Sequence, residues 1–125
     1  MRKPSTTLTP QELAIMKVVW RLDAPTVRNV YEALRKTRPI AYTTVMTMMN
    51  VLESKGYLEK KSIGKAHAYT PTKPRHQVLG AMVRDFVDRV FDGAAGGLLL
   101  HLARDRRLSK DERTAIQRLI EEIDE

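Results

Sequence analysis

Cysteine is absent from this chain of 125 residues. That excludes disulfides, thiolate metal centres and cysteine nucleophiles. Histidine is scarce: three residues, at positions 67, 76 and 101, lack the spacing of metal ligands, so neither a metal nor any other cofactor is expected. Long hydrophobic runs are also missing, and no uninterrupted apolar stretch approaches the roughly 20 residues that cross a bilayer. The first residues, Met1-Arg2-Lys3-Pro4, lead into polar Ser5, Thr6 and Thr7 without the apolar segment of a signal peptide, so a cytoplasmic location is expected. Catalytic signatures are equally thin, with no Gly-rich phosphate loop and no nucleophile motif. The acid pairs Asp85 and Asp88, and Asp111 and Glu112, lie beside Arg84, Arg89, Lys110 and Arg113, where ion pairing on a helix surface is the ordinary explanation. An enzyme is not expected.

What the chain does have is positive charge, unevenly placed. With 42% hydrophobic and 30% charged residues it has the composition of a globular protein of one or two small domains. Residues 1–72 carry twelve Lys or Arg against five Asp or Glu, whereas residues 73–125 carry ten of each sign. The whole excess of +7 thus sits on the first segment, as expected when one part of a chain faces a polyanion and the other faces itself.

Local signals divide that first segment into short elements. Thr9-Pro10-Gln11-Glu12 is a capping box with proline at the first helical position, and Leu13, Met16, Val19 and Trp20 predict the buried face of a helix ending near Leu22. Asp23-Ala24-Pro25 breaks it. Thr26 then caps a second helix with Val27, Val30, Tyr31 and Leu34 inward, closed by Pro39. A third helix is predicted from Ala41 to Lys55, stopped by Gly56, with Ala41, Val45, Met48 and Leu52 inward and Met49 at the border. Its other side carries Thr43, Met46, Thr47, Asn50 and Ser54, a stripe of short side chains without the long charged residues of a merely solvated face. Residues 57–61 and 66–70 then predict two strands around a basic turn at Ser62-Ile63-Gly64-Lys65.

Pro71 and Pro74 bracket a linker, placing the boundary between a first domain at 1–72 and a second at 73–125. The second shows a wide apolar stripe ending at Gly93, a short leucine-rich helix after Gly96 and Gly97, and a Ser109-Lys110-Asp111-Glu112 capping box opening a last helix. Some 50 residues carrying that many large apolar side chains bury too little surface to be stable alone, so association with a second copy is expected. Its interface candidates are Leu79, Met82, Val83, Phe86, Val90, Leu99, Leu102, Ile116, Leu119, Ile120 and Ile123. A bundle folded back on the first domain would use the same stripes.

Three helices followed by a hairpin is the order of a winged helix-turn-helix. The fold class expected is therefore mainly α with a small β-hairpin, an N-terminal winged helix-turn-helix followed by a three-helix dimerisation region. In that arrangement the third helix enters the major groove, where Thr hydroxyls, Asn amides and Thr or Met methyls read base edges at short range. Thr43, Met46, Thr47 and Asn50 are the base-reading candidates. Arg28, Tyr42, Thr44, Lys55, Lys60, Lys61, Lys65 and His67 flank them as backbone-contacting candidates. The competing expectation is a winged-helix module that binds protein or RNA without a specific duplex, since a fold alone does not define a function.

Several linked motifs also carry a resemblance: Leu8-Thr9-Pro10-Gln11-Glu12-Leu13 with Met16-Lys17-Val18-Val19-Trp20, Tyr42-Thr43-Thr44-Val45-Met46-Thr47-Met48, Leu52 through Lys55-Gly56, and Gly64-Lys65-Ala66-His67-Ala68-Tyr69-Thr70-Pro71. Together they resemble the BlaI/MecI family of penicillinase repressors. The resemblance implies a homodimeric bacterial repressor on a palindromic operator, with base reading by the third helix at Thr43 and Thr47, and backbone contact by the wing at Lys65. It implies control of β-lactam resistance or of another stress response. Familiar members are released when a membrane sensor protease triggers cleavage at an Asn-Phe bond, but the corresponding stretch here is Leu100-His101-Leu102-Ala103, so a regulatory protease would not find that site. The cysteine cluster of a copper-responsive branch is absent as well. A basic residue that some members carry near Val51 is missing, which implies a different operator sequence.

Overall fold

The computed structural model describes residues 8–124, without the side chains of residues 119, 120 and 122–124, so the expected interface residues Leu119, Ile120 and Ile123 lie outside the described ones. In chain order the elements are α1 (Pro10–Arg21), α2 (Val27–Arg35), α3 (Tyr42–Ser54), β1 (Leu58–Ile63), β2 (Ala66–Pro71), α4 (Arg75–Val90), α5 (Ala95–Ala103) and α6 (Lys110–Asp124). This is the mainly α architecture with one hairpin that the sequence predicts. Two compact units form, one running through Ala81 and the other starting at Met82. Among the described residues no helix is long and apolar enough to cross a membrane.

Helix α1 begins where its sequence says. Thr9 Oγ1 accepts from the Glu12 amide at 3.1 Å, and Glu12 Oε1 accepts from the Thr9 amide at 2.9 Å, satisfying two donors that a helix start leaves open. Thr26 and Asn29 repeat the exchange at the start of α2, at 3.1 and 3.0 Å. In between, Ala24 takes a left-handed φ of 44°, which turns the chain sharply enough to pack α2 across α1. Ile15, Met16, Val19, Val30, Val45, Met49 and Leu52 are wholly buried and form the centre of the first unit.

Two inward faces differ from expectation by part of a turn. On α1 the core is reached by Ile15 beside Met16 and Val19, whereas Leu13 and Trp20 are half-buried. Trp20 sits at the rim because its indole Nε1 donates to the Lys73 carbonyl at 3.2 Å, clasping the chain as it leaves the hairpin. On α3 the core residue is Met49, and Met48 is half-buried, since Val45, Met49 and Leu52 follow the i, i+4, i+7 rule of a narrow stripe. Ala41 is the exposed N-cap, beyond the reach of that core.

The hairpin has a tighter tip than predicted. Ser62 pairs with His67 and Ile63 with Ala66, so the turn shrinks to Gly64-Lys65. Only the first of these has positive φ, at 62°, the pattern of a type II′ turn that glycine adopts without strain. At the other end Leu58, Ala68 and Tyr69 are buried, and the Tyr69 amide donates to the Pro25 carbonyl at 2.9 Å, fastening the wing to the α1–α2 turn.

One buried charge ties the helices together. Glu12 is 3% exposed, and Lys55, just past the end of α3, brings its Nζ to both carboxylate oxygens at 3.0 and 2.8 Å. Lys55, a backbone-contacting candidate from the sequence, thus has its charge engaged by Glu12. A carboxylate withdrawn from water demands a counter-charge, and Lys55 supplies it. Burial pushes the Glu12 pKa up, but the Lys55 ammonium and the Thr9 amide outweigh it and hold the group below the ordinary glutamate value. Gly56, with φ of 88°, then turns the chain, and Thr72 Oγ1 donates to its carbonyl at 2.6 Å.

The second unit is held by its own local devices. Asp92 and Gly93, both with positive φ, end α4, and α5 contains the two glycines that were expected to precede it. A Cβ on Gly97 would come within 3.0 Å of the Phe91 ring, so a glycine there lets that ring lie against α5. Ser109 and Glu112 form the expected capping box at 3.0 and 3.1 Å, and α6 packs on α5.

The Glu12–Lys55 pair yields a prediction with a definite sign. Because the native Glu12 pKa is lowered, its contribution to stability is fully present above the ordinary glutamate range and is lost as pH falls through the lowered native value. Lys55→Met leaves Glu12 buried without its counter-charge and should destabilise the domain at pH 7 by about 2 kcal/mol. That deficit should shrink as pH falls, because a protonated Glu12 needs no counter-charge in either protein. Urea unfolding followed by Trp20 fluorescence between about pH 3 and pH 7 measures both.

Candidate nucleic-acid interface

Because Val45, Met49 and Leu52 face the core, the stripe on the far side of α3 is presented outward. Thr43, Met46, Thr47 and Asn50 are all exposed, as is Val51 next to them. None of these groups is ionised. Thr44 is half-buried, between the stripe and the core.

Beside the stripe lies a groove of about 510 Å³ between α3, the start of α2 and the wing. It is lined by Thr26, Arg28, Tyr42, Met46, Asn50, Lys60, Lys65, His67 and Tyr69, among others. Five of the candidate backbone-contacting residues, Arg28, Tyr42, Lys60, Lys65 and His67, thus converge with two base-reading candidates. Strand alternation sends Lys61 to the opposite face of the hairpin from Lys60, and Lys61 does not line the groove. Thr43 and Thr47 lie on the helix stripe outside it.

Aromatic contacts fix the rim of the groove. Tyr42 meets Tyr31 edge to face with ring centres 5.5 Å apart, and the Arg28 guanidinium lies 5.7 Å over the Tyr42 ring. Arg28 also approaches Glu32 at 3.4 Å, one turn along α2. Lys60 comes no closer to Glu53 than 3.9 Å, a loose pair that leaves its charge available to an anion. In the wing, Ser62 Oγ lies 3.3 Å from His67 Nδ1.

Two residues of the groove were not singled out by sequence. Tyr69 is 3% exposed, yet its hydroxyl reaches out and donates to Asn50 Oδ1 at 3.2 Å. Burial, aided by Glu53 and Tyr42, pushes the phenol pKa above the ordinary tyrosine value, so the donor keeps its proton. Thr26 was legible only as a helix cap, and its place on the groove wall follows from where α2 starts.

A second surface is apolar. Val83, Phe86 and Val90 lie exposed along α4 at i, i+3 and i+7, and Leu100 is exposed on α5. Leu79, Met82, Leu99, Leu102 and Ile116 are half-buried. Phe86 meets Phe91 edge to face at 6.0 Å, which holds the exposed ring in place.

Three helices, a two-stranded wing and a polar, outward-facing third helix define a winged helix-turn-helix protein. The chain belongs to the penicillinase repressor family, whose model matches residues 8–122, in agreement with the motifs read from the sequence. It is 33% identical over 121 residues to the transcriptional regulator BlaI of Mycobacterium tuberculosis, covering 95% of this chain and 86% of that protein. It is 26% identical over 115 residues to the penicillinase repressor of Bacillus licheniformis, covering 92% of this chain and 90% of that one. The solution structure of the DNA-binding domain of the repressor BlaI superimposes with a TM-score of 0.52 at 30% identity, covering 59% of this chain and 90% of the other. The monomeric form of Bacillus licheniformis BlaI in complex with the blaP half-operator superimposes with a TM-score of 0.50, also at 30% identity, covering 56% and 85%.

Proposed function

We propose that this chain is a cytoplasmic transcriptional repressor that binds a palindromic DNA operator as a homodimer, residues 1–72 binding DNA and residues 73–125 joining the two copies. The observation that carries the reading is the uncharged polar stripe of α3 set beside a basic groove. A major groove about 12 Å wide admits one helix, and short neutral side chains let that helix approach the bases closely. Thr43, Thr47 and Asn50 read base edges, and Met46 contacts an apolar group such as a thymine methyl. Arg28, Tyr42, Lys60, Lys65 and His67 hold phosphates along the groove, with Thr44 and Lys61 at its margins. The likeness to BlaI in complex with a half-operator supports the same use of this domain.

The exposed Val83, Phe86 and Val90 support the dimer, since such a stripe gains stability when a second copy covers it. Two symmetric half-sites then lie about 34 Å apart or at a multiple of that spacing. Repression follows from occupancy of a promoter. Release has to use something other than an Asn-Phe cleavage site at residues 100–103, which read Leu-His-Leu-Ala.

The test is selection of bound sequences from a random duplex library, with the mass in solution measured alongside. A palindromic motif and a dimeric mass support the reading, and the absence of any enriched duplex overturns it. Within it, Lys65→Ala should weaken all duplexes about equally and lower the slope of log affinity against log salt by about one. Thr47→Ala should instead cost about 1–3 kcal/mol on the preferred sequence only. Competition binding at two salt concentrations separates these effects. Phe86→Asp places a charge without a partner in the proposed dimer contact and should yield monomers by sedimentation, whereas an unchanged dimer places the interface elsewhere.

A further inference from the structure

The geometry points to Tyr69 as a positioning residue that decides which bases Asn50 can read, an inference that rests on the proposed docking of α3 in the major groove. Tyr69 belongs to the wing and to the core at once. The residue is buried, its amide is bonded to the Pro25 carbonyl, and it lines the groove. That hydroxyl donates to Asn50 Oδ1 at 3.2 Å.

The consequence lies in the chemistry of an amide. Asparagine recognises adenine by accepting from N6 through its oxygen while donating to N7 through its nitrogen, which needs both atoms turned side by side toward the base. Oxygen and nitrogen diverge from one carbon, so an Asn50 whose Oδ1 is turned back to Tyr69 presents only its Nδ2 donors outward. Such an edge matches a base with an exocyclic acceptor, guanine through O6 or thymine through O4. Adenine offers such a donor only N7, beside an opposing amino group, and cytosine offers only an amino group. The wing thereby acts on base choice from behind the reading helix, without touching a base itself.

The experiment is a set of parallel selections from one random duplex library with the full-length protein, Asn50→Ala, Tyr69→Phe and the double variant. Asn50→Ala identifies the operator position that Asn50 reads, as the one whose preference flattens. At that pair, loss of the guanine O6 or thymine O4 by base-analogue substitution should weaken binding of the unaltered protein, whereas loss of the adenine or cytosine amino group should not. Tyr69→Phe keeps the ring in the core but frees Oδ1, so loss of the amino group at that pair should now weaken binding by about fivefold or more. The double variant should behave as Asn50→Ala alone, a dependence that a merely structural role for Tyr69 does not produce. Asn50→Asp provides a second arm that spares the core: Tyr69 still donates to one oxygen, the outward atom becomes an acceptor, and binding should come to depend on the amino group of that pair.

An unaltered protein weakened by loss of the amino group and not of the carbonyl at that pair overturns the inference, since the amide oxygen then faces the base. So does a folded Tyr69→Phe protein with an unchanged response to both analogues, an Asn50→Asp protein that still depends on the carbonyl, or an Asn50→Ala protein that loses no preference at any position. An unaltered protein that selects no motif overturns the docking of α3 itself, and the inference falls with it. An enriched motif with any of the preceding results overturns the inference alone.

Discussion

A single buried carboxylate sets the frame on which the proposed reading helix, α3, is mounted. Glu12 caps the first turn of α1 and, from the same group, takes both contacts of the Lys55 ammonium beyond the end of α3. Buried ion pairs add little net stability, because desolvation cancels much of their attraction, but they are intolerant of displacement. Sliding α3 along its axis would leave a charge in the core without its partner. The pair therefore acts chiefly on geometry, selecting one position of α3 against α1. The apolar contacts of Val45, Met49 and Leu52, which alone would tolerate small shifts, then pack in one register.

From that fixed helix the remaining parts of the interface take their places. Gly56 ends α3 and starts the wing, and Thr72 returns to bond the Gly56 carbonyl, so the hairpin leaves and re-enters the domain at one point. The Tyr69 amide pins the second strand to the turn between α1 and α2. With both ends of the hairpin held, its basic residues are carried on a short lever with a two-residue tip, and Lys60, Lys65 and His67 stand along one wall of the groove.

Much of this was legible along the chain, and what was legible was local. The capping boxes at Thr9 and Ser109 are signals within four residues, and the structure forms both. The outward stripe of α3 follows from helical periodicity, which gives the direction of a face reliably. On α1 it places the face less well: Ile15 lies about 200° around the helix from Leu13, and it is Ile15 that is wholly buried while Leu13 is half-buried. The Thr26 box escaped notice in part because Asn29 takes the place usually held by Glu or Gln. The Glu12–Lys55 pair joins residues 43 apart and the Tyr69–Asn50 bond residues 19 apart, and no spacing rule connects such positions. Lys55 was read as a cation for phosphate because its acid partner is visible only once the chain is folded.

The pairing of Lys55 with Glu12 sets the electrostatic character of the proposed interface. Between Tyr42 and Ser54 helix α3 contains no lysine or arginine, and the cation just beyond it is engaged with Glu12. Helix α3 therefore carries no free positive charge, and in the proposed docking attraction for a polyanion comes from α2 and the wing. This separates two tasks that many DNA-binding surfaces combine. In that proposal counterion release falls to Arg28, Lys60 and Lys65, whose contribution fades with salt, while discrimination falls to neutral donors on α3, whose contribution is less sensitive to it. A surface divided in this way can change its preferred sequence by substitutions on α3 while keeping its general affinity for duplex. That division accounts physically for how one winged-helix frame can serve operators of different sequence, with the wing and α2 left as they are.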